Sequence, residues 1–222
     1  MSFFNDYDFD GYERQVSYLW PIIALNIVVF ILCGFGADTH LAQILKFHPY
    51  LVFRFQIWRV ITYMFVHADL SHLFFNMWGL YIFGRYVERE LGNVRFLILY
   101  LVSGVIGACT WSIFNISFDD LRVISEIPTE QLAQVMGGLV GASGAVFGVM
   151  TAAAMAFPDM RILLIFPPIS MRLKHLIWVY VAIEVVESFN VNSHIAHLAH
   201  LGGALGGFLY IKRLWRKWRD EY

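Results

Sequence analysis

The chain has 222 residues, of which 59% are hydrophobic and 15% are charged, and its mean hydropathy is +0.60. A soluble domain carries about 25% charged residues, so this composition indicates a polytopic membrane protein. The formal net charge of −1 excludes a strongly basic nucleic-acid binder, and two cysteines in apolar runs give no disulfide framework and no cysteine metal site.

Six apolar segments are long enough to be predicted as membrane-spanning helices. In chain order they cover residues 18–35, 70–87, 96–116, 135–157, 173–189 and 195–214. The predicted fold is an all-α membrane protein with a single six-helix domain at 18–214. A short N-terminal segment, 1–17, precedes the domain, and a basic tail, 215–222, follows it.

Two connections between the predicted spans have informative compositions. Residues 37–63 mix apolar and polar side chains, which favours a structure lying in the membrane interface over another span. Residues 158–172 contain Pro158, Pro167 and Pro168, so this connection cannot continue a helix.

The distribution of basic residues predicts the orientation. With the N-terminus in the cytoplasm, twelve Lys and Arg residues fall on the cytoplasmic side and four on the outer side. The positive-inside rule then places both termini in the cytoplasm. The basic and aromatic run at 212–219 is interpreted as an anchor at the inner headgroups rather than a nucleic-acid patch.

Polar residues inside predicted spans are costly and usually face the bundle interior or a water-filled cavity. They cluster in four of the spans: His72 and Asn76 in the second, Ser143 in the fourth, Glu184 and Glu187 in the fifth, and His197 and His200 in the sixth. The predicted starts place Ser143 about eight and His200 about five residues into their helices, roughly 12 Å and 8 Å deep. With His72 and Asn76, they all fall in the outer half of the membrane.

These residue types can perform acyl transfer. A serine hydroxyl needs a base to become a nucleophile, and a neutral imidazole is the usual one, which makes Ser143 and His200 the predicted pair. His72, Asn76 and the Ser143 amide are candidate donors to the oxyanion. The sequence offers no acidic residue evidently placed to orient the imidazole, so a Ser–His dyad is favoured over a triad.

At these positions the chain resembles the rhomboid family of intramembrane serine proteases, over roughly residues 20–208. The matching motifs are Gly141-Ala142-Ser143-Gly144, Ala199-His200-Leu201-Gly202-Gly203, His72-Leu73-Phe74-Phe75-Asn76 and Trp58-Arg59. The resemblance implies a rhomboid-like bundle, a Ser143 nucleophile, a His200 base and oxyanion support from His72 and Asn76.

The same resemblance implies further roles. Trp58, Arg59 and Glu88 would be structural, and Gly203 and Gly207 would let the fourth and sixth helices touch. Phe147 replaces a tyrosine that some relatives pack against the histidine. Phe75 and Trp178 would flank a lateral substrate gate.

The implied partners are transmembrane protein substrates and the lipid bilayer of a bacterial inner membrane, with no nucleic acid, no cofactor and no metal.

Three other classes of protein are alternatives for this sequence. A membrane metalloenzyme could use His67, His72, His197 and His200, but the carboxylates look misplaced for ligation. A transporter could use Glu184 as a relay, but the chain shows no inverted repeat. A catalytically silent member that only binds membrane proteins would be expected to lack Ser143 or His200, and both are present.

Overall fold

The computed structural model describes residues 16–115, 128, 138–164, 168–190 and 196–221. The described helices are α1 (Leu19–Leu32), α2 (His40–Leu45), α3 (Pro49–Phe53), α4 (Arg59–Thr62), α5 (Leu70–Leu91), α6 (Asn93–Asn115), α7 (Ser143–Ala156), α8 (Leu173–Glu187) and α9 (His197–Glu221). A 3-10 turn, Tyr63–Phe65, follows α4, and strands β1 (Arg161–Leu163) and β2 (Ser170–Arg172) pair antiparallel. The described part is mostly helical, as predicted, and the two strands come from the described parts of the proline-containing connection.

Each of the six predicted spans corresponds to one of the longer helices, α1 and α5 to α9. Among the described residues, α6 is the one helix with both the length and the apolar composition to cross a bilayer, while α1 and α7 are apolar but shorter. The number of spans therefore stays a prediction. Most of the predicted N-terminal segment lies outside the described residues.

The fourth predicted span differs most from the structure. Its helix begins at Ser143 and not near residue 135, and residues 129–137 lie outside the described part. Just before the helix, Leu139 forms an isolated antiparallel bridge with Phe47, and the Gly141 N–H donates to the Tyr63 carbonyl at 3.0 Å. Because these backbone groups bond to the first connection, they cannot extend the helix toward the N-terminus. Ser143 is therefore the first helical residue, not the eighth.

Helix α9 lies at the centre of the bundle and packs most extensively on α6 and α7, while α5 covers α7, and α8 touches both α7 and α9. A Cβ on Gly203 would overlap the backbone carbonyl of Gly144, and one on Gly207 would overlap that of Gly148. Lipid supplies no hydrophobic drive between helices, so backbone contact of this kind replaces it. The predicted contact through Gly203 and Gly207 is confirmed.

The buried Arg59 side chain holds the first connection together. Its Nη1 donates to the Gln43 and Lys46 carbonyls, both at 2.6 Å, and its Nε donates to Gln56 Oε1 at 2.7 Å. The neighbouring Trp58 Nε1 donates to the Ile44 carbonyl at 3.2 Å. These bonds fit the structural role expected of the Trp-Arg pair.

The Glu88 carboxylate fastens the start of α1 to α5. It accepts from the Ser17 hydroxyl at 2.6 Å and from the backbone N–H groups of Tyr18 and Leu19 at 2.6 and 3.0 Å. A negative charge at the N-terminus of a helix also complements the helix dipole. The contacts agree with a structural role for Glu88.

Candidate active site

Ser143 is the first residue of α7 and follows a turn that only a glycine adopts readily. Gly141 has φ +110°, which a residue with a side chain rarely takes. At the start of a helix the first N–H groups have no acceptor within the helix, and the helix dipole is positive there. The serine hydroxyl and its own amide therefore face a region that favours negative charge.

His200 lies on α9 directly opposite Ser143. The His200 Nε2 and Ser143 Oγ atoms are 2.7 Å apart, which is a hydrogen-bonding distance. His200 is buried, so bulk water does not compete freely for this contact. The structure brings together the two residues that the sequence selected as nucleophile and base.

The Phe147 ring lies one turn after Ser143 and stacks on the imidazole. The two ring centroids are 4.6 Å apart and the planes differ by 8°. The stack hinders the His200 ring from turning out of the plane that the two rings share, which helps to keep Nε2 directed at the serine. A phenyl ring supplies this restraint without a hydroxyl.

His72 and Asn76 on α5 border the same space. The Ala68 N–H donates to His72 Nδ1 at 3.4 Å, so a neutral His72 carries its proton on Nε2. The buried Asn76 donates one amide hydrogen to the His72 carbonyl at 2.8 Å, which leaves its second hydrogen for another acceptor. Both residues therefore have a donor to offer beside Ser143.

A cavity of about 1450 Å³ connects these groups, and Ser143, His200, His72 and Asn76 all line it. The predicted gate residue Phe75 also lines the cavity, and its side chain is exposed. Trp178 is exposed on α8 but is not among the described lining residues. The structure thus relates Phe75, but not Trp178, directly to the site.

An acidic residue does approach the base, contrary to the expectation from sequence. Glu184 on α8 is buried, and its Oε1 lies 3.0 Å from His200 Nδ1. Its Oε2 lies 2.6 Å from Nδ1 of His197, one turn earlier on α9. The signal was present in the sequence, because an acidic residue within an apolar span usually has a specific partner.

His67 has a structural position. It is fully buried, and its Nε2 accepts the Ala142 N–H at 3.5 Å, one residue before the serine. The ring packs edge-on against His72 at a centroid distance of 5.0 Å. These contacts steady the turn that leads into α7.

Glu184, His197 and His200 also form a group that could hold a metal ion, with one ligand atom of each residue within 4.8 Å of the others. The expectation that the carboxylates are misplaced for ligation is therefore wrong for Glu184. In tetrahedral zinc sites with bonds of about 2.0–2.1 Å, two ligand atoms are about 3.3 Å apart. The 2.6 Å between Glu184 and His197 is shorter and fits a hydrogen bond.

Comparisons with known proteins show the family of the chain. The rhomboid domain model matches residues 54–217, which is most of the chain. The protein therefore belongs to the rhomboid family, whose members are integral membrane proteins.

Several relatives are named as rhomboid proteases. The chain is 36% identical over 154 residues to YdcA of Bacillus subtilis (strain 168), provisionally named a rhomboid protease, covering 68% of this chain and 64% of YdcA. It is 28% identical over 201 residues to rhomboid protease GluP of the same strain, covering 86% and 34%. It is 31% identical over 160 residues to rhomboid protease AarA of Providencia stuartii, covering 68% and 54%.

Family membership does not by itself establish catalysis. The chain spans less than two thirds of the length of each of these three relatives. It is also 33% identical over 87 residues, 39% of this chain, to inactive RHOMBOID-like protein 8 of Arabidopsis thaliana. The activity therefore has to be argued from the site.

Proposed function

We propose that this protein is an intramembrane serine endopeptidase that cleaves transmembrane segments of other membrane proteins. The observation that carries the proposal is the 2.7 Å contact between Ser143 Oγ and His200 Nε2 at the edge of a large cavity. Relatives named as rhomboid proteases support the same activity.

In the first step, His200 Nε2 takes the proton of the Ser143 hydroxyl while Oγ attacks the carbonyl carbon of the scissile bond. The tetrahedral intermediate collapses when the imidazolium gives that proton to the leaving amine. An acyl-enzyme on Ser143 remains. Water, activated by the neutral imidazole, then releases the acid and restores the serine.

The oxyanion of the intermediate would be stabilised by three donors. The candidates are the His72 Nε2–H, the second amide hydrogen of Asn76 and the Ser143 N–H, which belong to three residues that line the cavity. Donors that need no reorganisation are the strongest form of electrostatic stabilisation. Removing one such donor typically slows catalysis by about 10²–10³-fold.

Both the substrate and water have to reach the serine. The cavity provides a place for water, which deacylation consumes. In the proposed orientation water would enter it from the outer side of a bacterial inner membrane. A transmembrane substrate would enter sideways between α5 and α8, past Phe75 and Trp178. Their exposed aromatic rings are suited to contact with an apolar segment.

Active-site labelling tests the proposal directly. A serine-directed phosphonate added to the purified protein should form an adduct that mass spectrometry maps to Ser143. The Ser143→Ala and His200→Ala variants should lose both the adduct and the cleavage of a model transmembrane substrate. Unchanged thermal unfolding in detergent would show that both variants remain folded.

The catalytically silent alternative gives a different result in this experiment. A folded wild-type protein that neither labels nor cleaves would support a membrane-protein binding module instead. Wild-type turnover by folded Ser143→Ala or His200→Ala would exclude the proposed pair.

A further inference from the structure

The Glu184 carboxylate is buried between two imidazoles. Glu184, His197 and His200 are only 8%, 7% and 8% exposed, so solvent contributes little to their charge balance. Each carboxylate oxygen faces one ring nitrogen, with Oε2 2.6 Å from His197 Nδ1 and Oε1 3.0 Å from His200 Nδ1. A buried carboxylate is stable only when such partners surround it.

The carboxylate determines where the protons of its neighbours lie. The negative charge of an ionised carboxylate favours an N–H over a lone pair on a nearby ring nitrogen, so it favours a proton on each Nδ1 beside it. When Nδ1 of a neutral imidazole carries the proton, Nε2 has the free lone pair. For His200 that lone pair faces the Ser143 hydroxyl, which is the arrangement that a general base needs.

We propose that Glu184 is a positioning residue that holds His200 as the Nδ1–H tautomer and stabilises the imidazolium formed when Ser143 is deprotonated. Ser143, His200 and Glu184 then act together, and the Glu184 carboxylate stays ionised throughout. The inference rests on the proposed function and replaces the two-residue mechanism that the sequence favours. It assigns a role in the reaction to an acidic residue of α8.

The geometry of the contact between Glu184 and His200 explains how Glu184 contributes. His200 Nδ1 and Glu184 Oε1 are 3.0 Å apart, which is short enough for a hydrogen bond. Within the described part of the chain, however, His200 Nδ1 makes no hydrogen bond, so its N–H does not point at Oε1. Coulomb attraction does not require this alignment and grows when the ring becomes charged. An interaction that is stronger in the transition state than in the ground state raises kcat and leaves KM nearly unchanged.

His197 holds the carboxylate in place. Its Nδ1–H donates to Oε2, which directs Oε1 toward His200 on the next turn of the same helix. An asparagine at this position places its Nδ2 close to where Nδ1 lies in histidine. The His197→Asn variant should therefore preserve more activity than His197→Ala, although neither contacts the substrate.

Kinetics of a model transmembrane substrate provide the first test. Glu184→Gln removes the charge at nearly constant volume and should lower kcat about 100-fold, with KM within about threefold of wild type. Glu184→Asp keeps the charge and should recover part of the loss. Glu187→Gln, on the partly exposed last residue of α8, is the matched control and should behave as wild type.

The tautomer of His200 provides a second test that does not depend on turnover. In ¹⁵N-histidine-labelled protein, comparison with His200→Ala identifies the His200 signals. The wild type should show the Nδ1–H tautomer, and Glu184→Gln should show a mixture of the two neutral tautomers. A residue that merely stabilises the fold would change the unfolding temperature without changing this ratio.

The outcomes separate the two proposals. If the wild type neither cleaves nor labels, the proposed function fails, and the tautomer measurement still decides whether Glu184 sets the state of His200. If the wild type cleaves and Glu184→Gln retains both kcat and the tautomer, the inference is overturned. Loss of activity in 1,10-phenanthroline that zinc restores would also overturn it, in favour of a metal held by the same three side chains.

Discussion

Gly141 shapes both the backbone and the pocket beside the nucleophile. Its φ of +110° suits only glycine, and a Cβ there would lie 2.6 Å from His72 Cε1 and 2.7 Å from His72 Nε2. The missing side chain therefore leaves the His72 donor free to face the site. One residue accounts for both the turn before α7 and the access to the oxyanion region.

We expect Gly141→Ala to lose activity as well as stability. The added methyl should displace His72 and reduce kcat about 100-fold, comparable to removing an oxyanion donor, while the strained backbone costs about 1–3 kcal/mol. Gly92→Ala is the matched control, because Gly92 has φ +79° and nothing within 4 Å of the Cβ position. That control should be destabilised and remain active, measured by thermal unfolding and substrate cleavage. Equal kcat losses in the two variants would contradict a steric role for Gly141.

The sequence could single out Ser143 and His200 as a predicted pair because their residue types, spacing and neighbouring glycines are local features. It indicated that Glu184 has a partner but not which one, because the direction of its side chain depends on how α8 is rotated against α9. Helix α8 is apolar along nearly its whole length, so no polar stripe marks its inner side. Tertiary packing alone decides that Glu184 points inward.

Among the helices, the residue at which α7 starts also could not be predicted from the sequence. An apolar, glycine-rich run gives no sign of where extended backbone becomes helix, and the boundary is set by the pairing of Leu139 with Phe47. The consequence is chemical as well as structural. A serine at the first position of a helix has its own amide and the helix dipole available, whereas a serine within the helix would have neither.

The contact between α7 and α9 should tolerate no added volume. A Cβ on Gly203 overlaps a backbone carbonyl of α7, which cannot rotate away as a side chain could. We expect Gly203→Ala to separate the helices, lower stability by about 1–3 kcal/mol and abolish cleavage, because His200 lies one turn away on α9.

Gly206→Ala is the comparison for this variant. A Cβ on Gly206 would lie 3.0 Å from the Cα of Ser103 on α6, away from Ser143. It should lose stability and keep most of its kcat. A Gly203→Ala protein with wild-type turnover would show that the close backbone contact does not position His200.

The first connection should make the fold sensitive to acid. Burial, reinforced by Arg59 and Lys46, lowers the pKa of His48 from 6.5 to about 4. Below pH 6.5 the unfolded chain binds a proton at this position that the folded chain binds only near pH 4, so stability falls as the pH falls through this window. The loss is on the order of 3 kcal/mol.

Unfolding temperatures measured in detergent between pH 8 and pH 4.5 check this expectation. Wild type should lose stability toward low pH more steeply than His48→Gln, which cannot titrate. The comparison uses the two slopes, because the substitution also changes packing against Gly138, where a Cβ would lie 2.6 Å from the imidazole. Parallel slopes would mean that His48 does not titrate differently in the two states.

Across the whole molecule, polarity is distributed in the manner of a membrane protein. Large apolar side chains such as Trp20, Phe74 and Trp78 are exposed on the outside of the bundle, while His67, Asn76 and Glu184 are buried within it. In water this arrangement would expose a large apolar surface that promotes aggregation, whereas in lipid the arrangement is stable. Asn76 lines the cavity, while His67 and Glu184 contact two other lining residues, His72 and His200.

The orientation of the bundle decides which side of the membrane is nearer to Ser143. Twelve basic residues on the cytoplasmic side against four on the outer side predict cytoplasmic termini. A fluorescent protein fused after Tyr222 should therefore fold and fluoresce in bacterial cells. Alkaline phosphatase fused at the same position should be inactive. Alkaline phosphatase inserted between residues 117 and 134 should be active, because that connection precedes α7 on the outer side. The opposite pattern would invert the bundle and bring the entrance of the site to the cytoplasm. Since α7 starts at the end nearest this connection, the same experiment also shows which side of the membrane is nearer to Ser143.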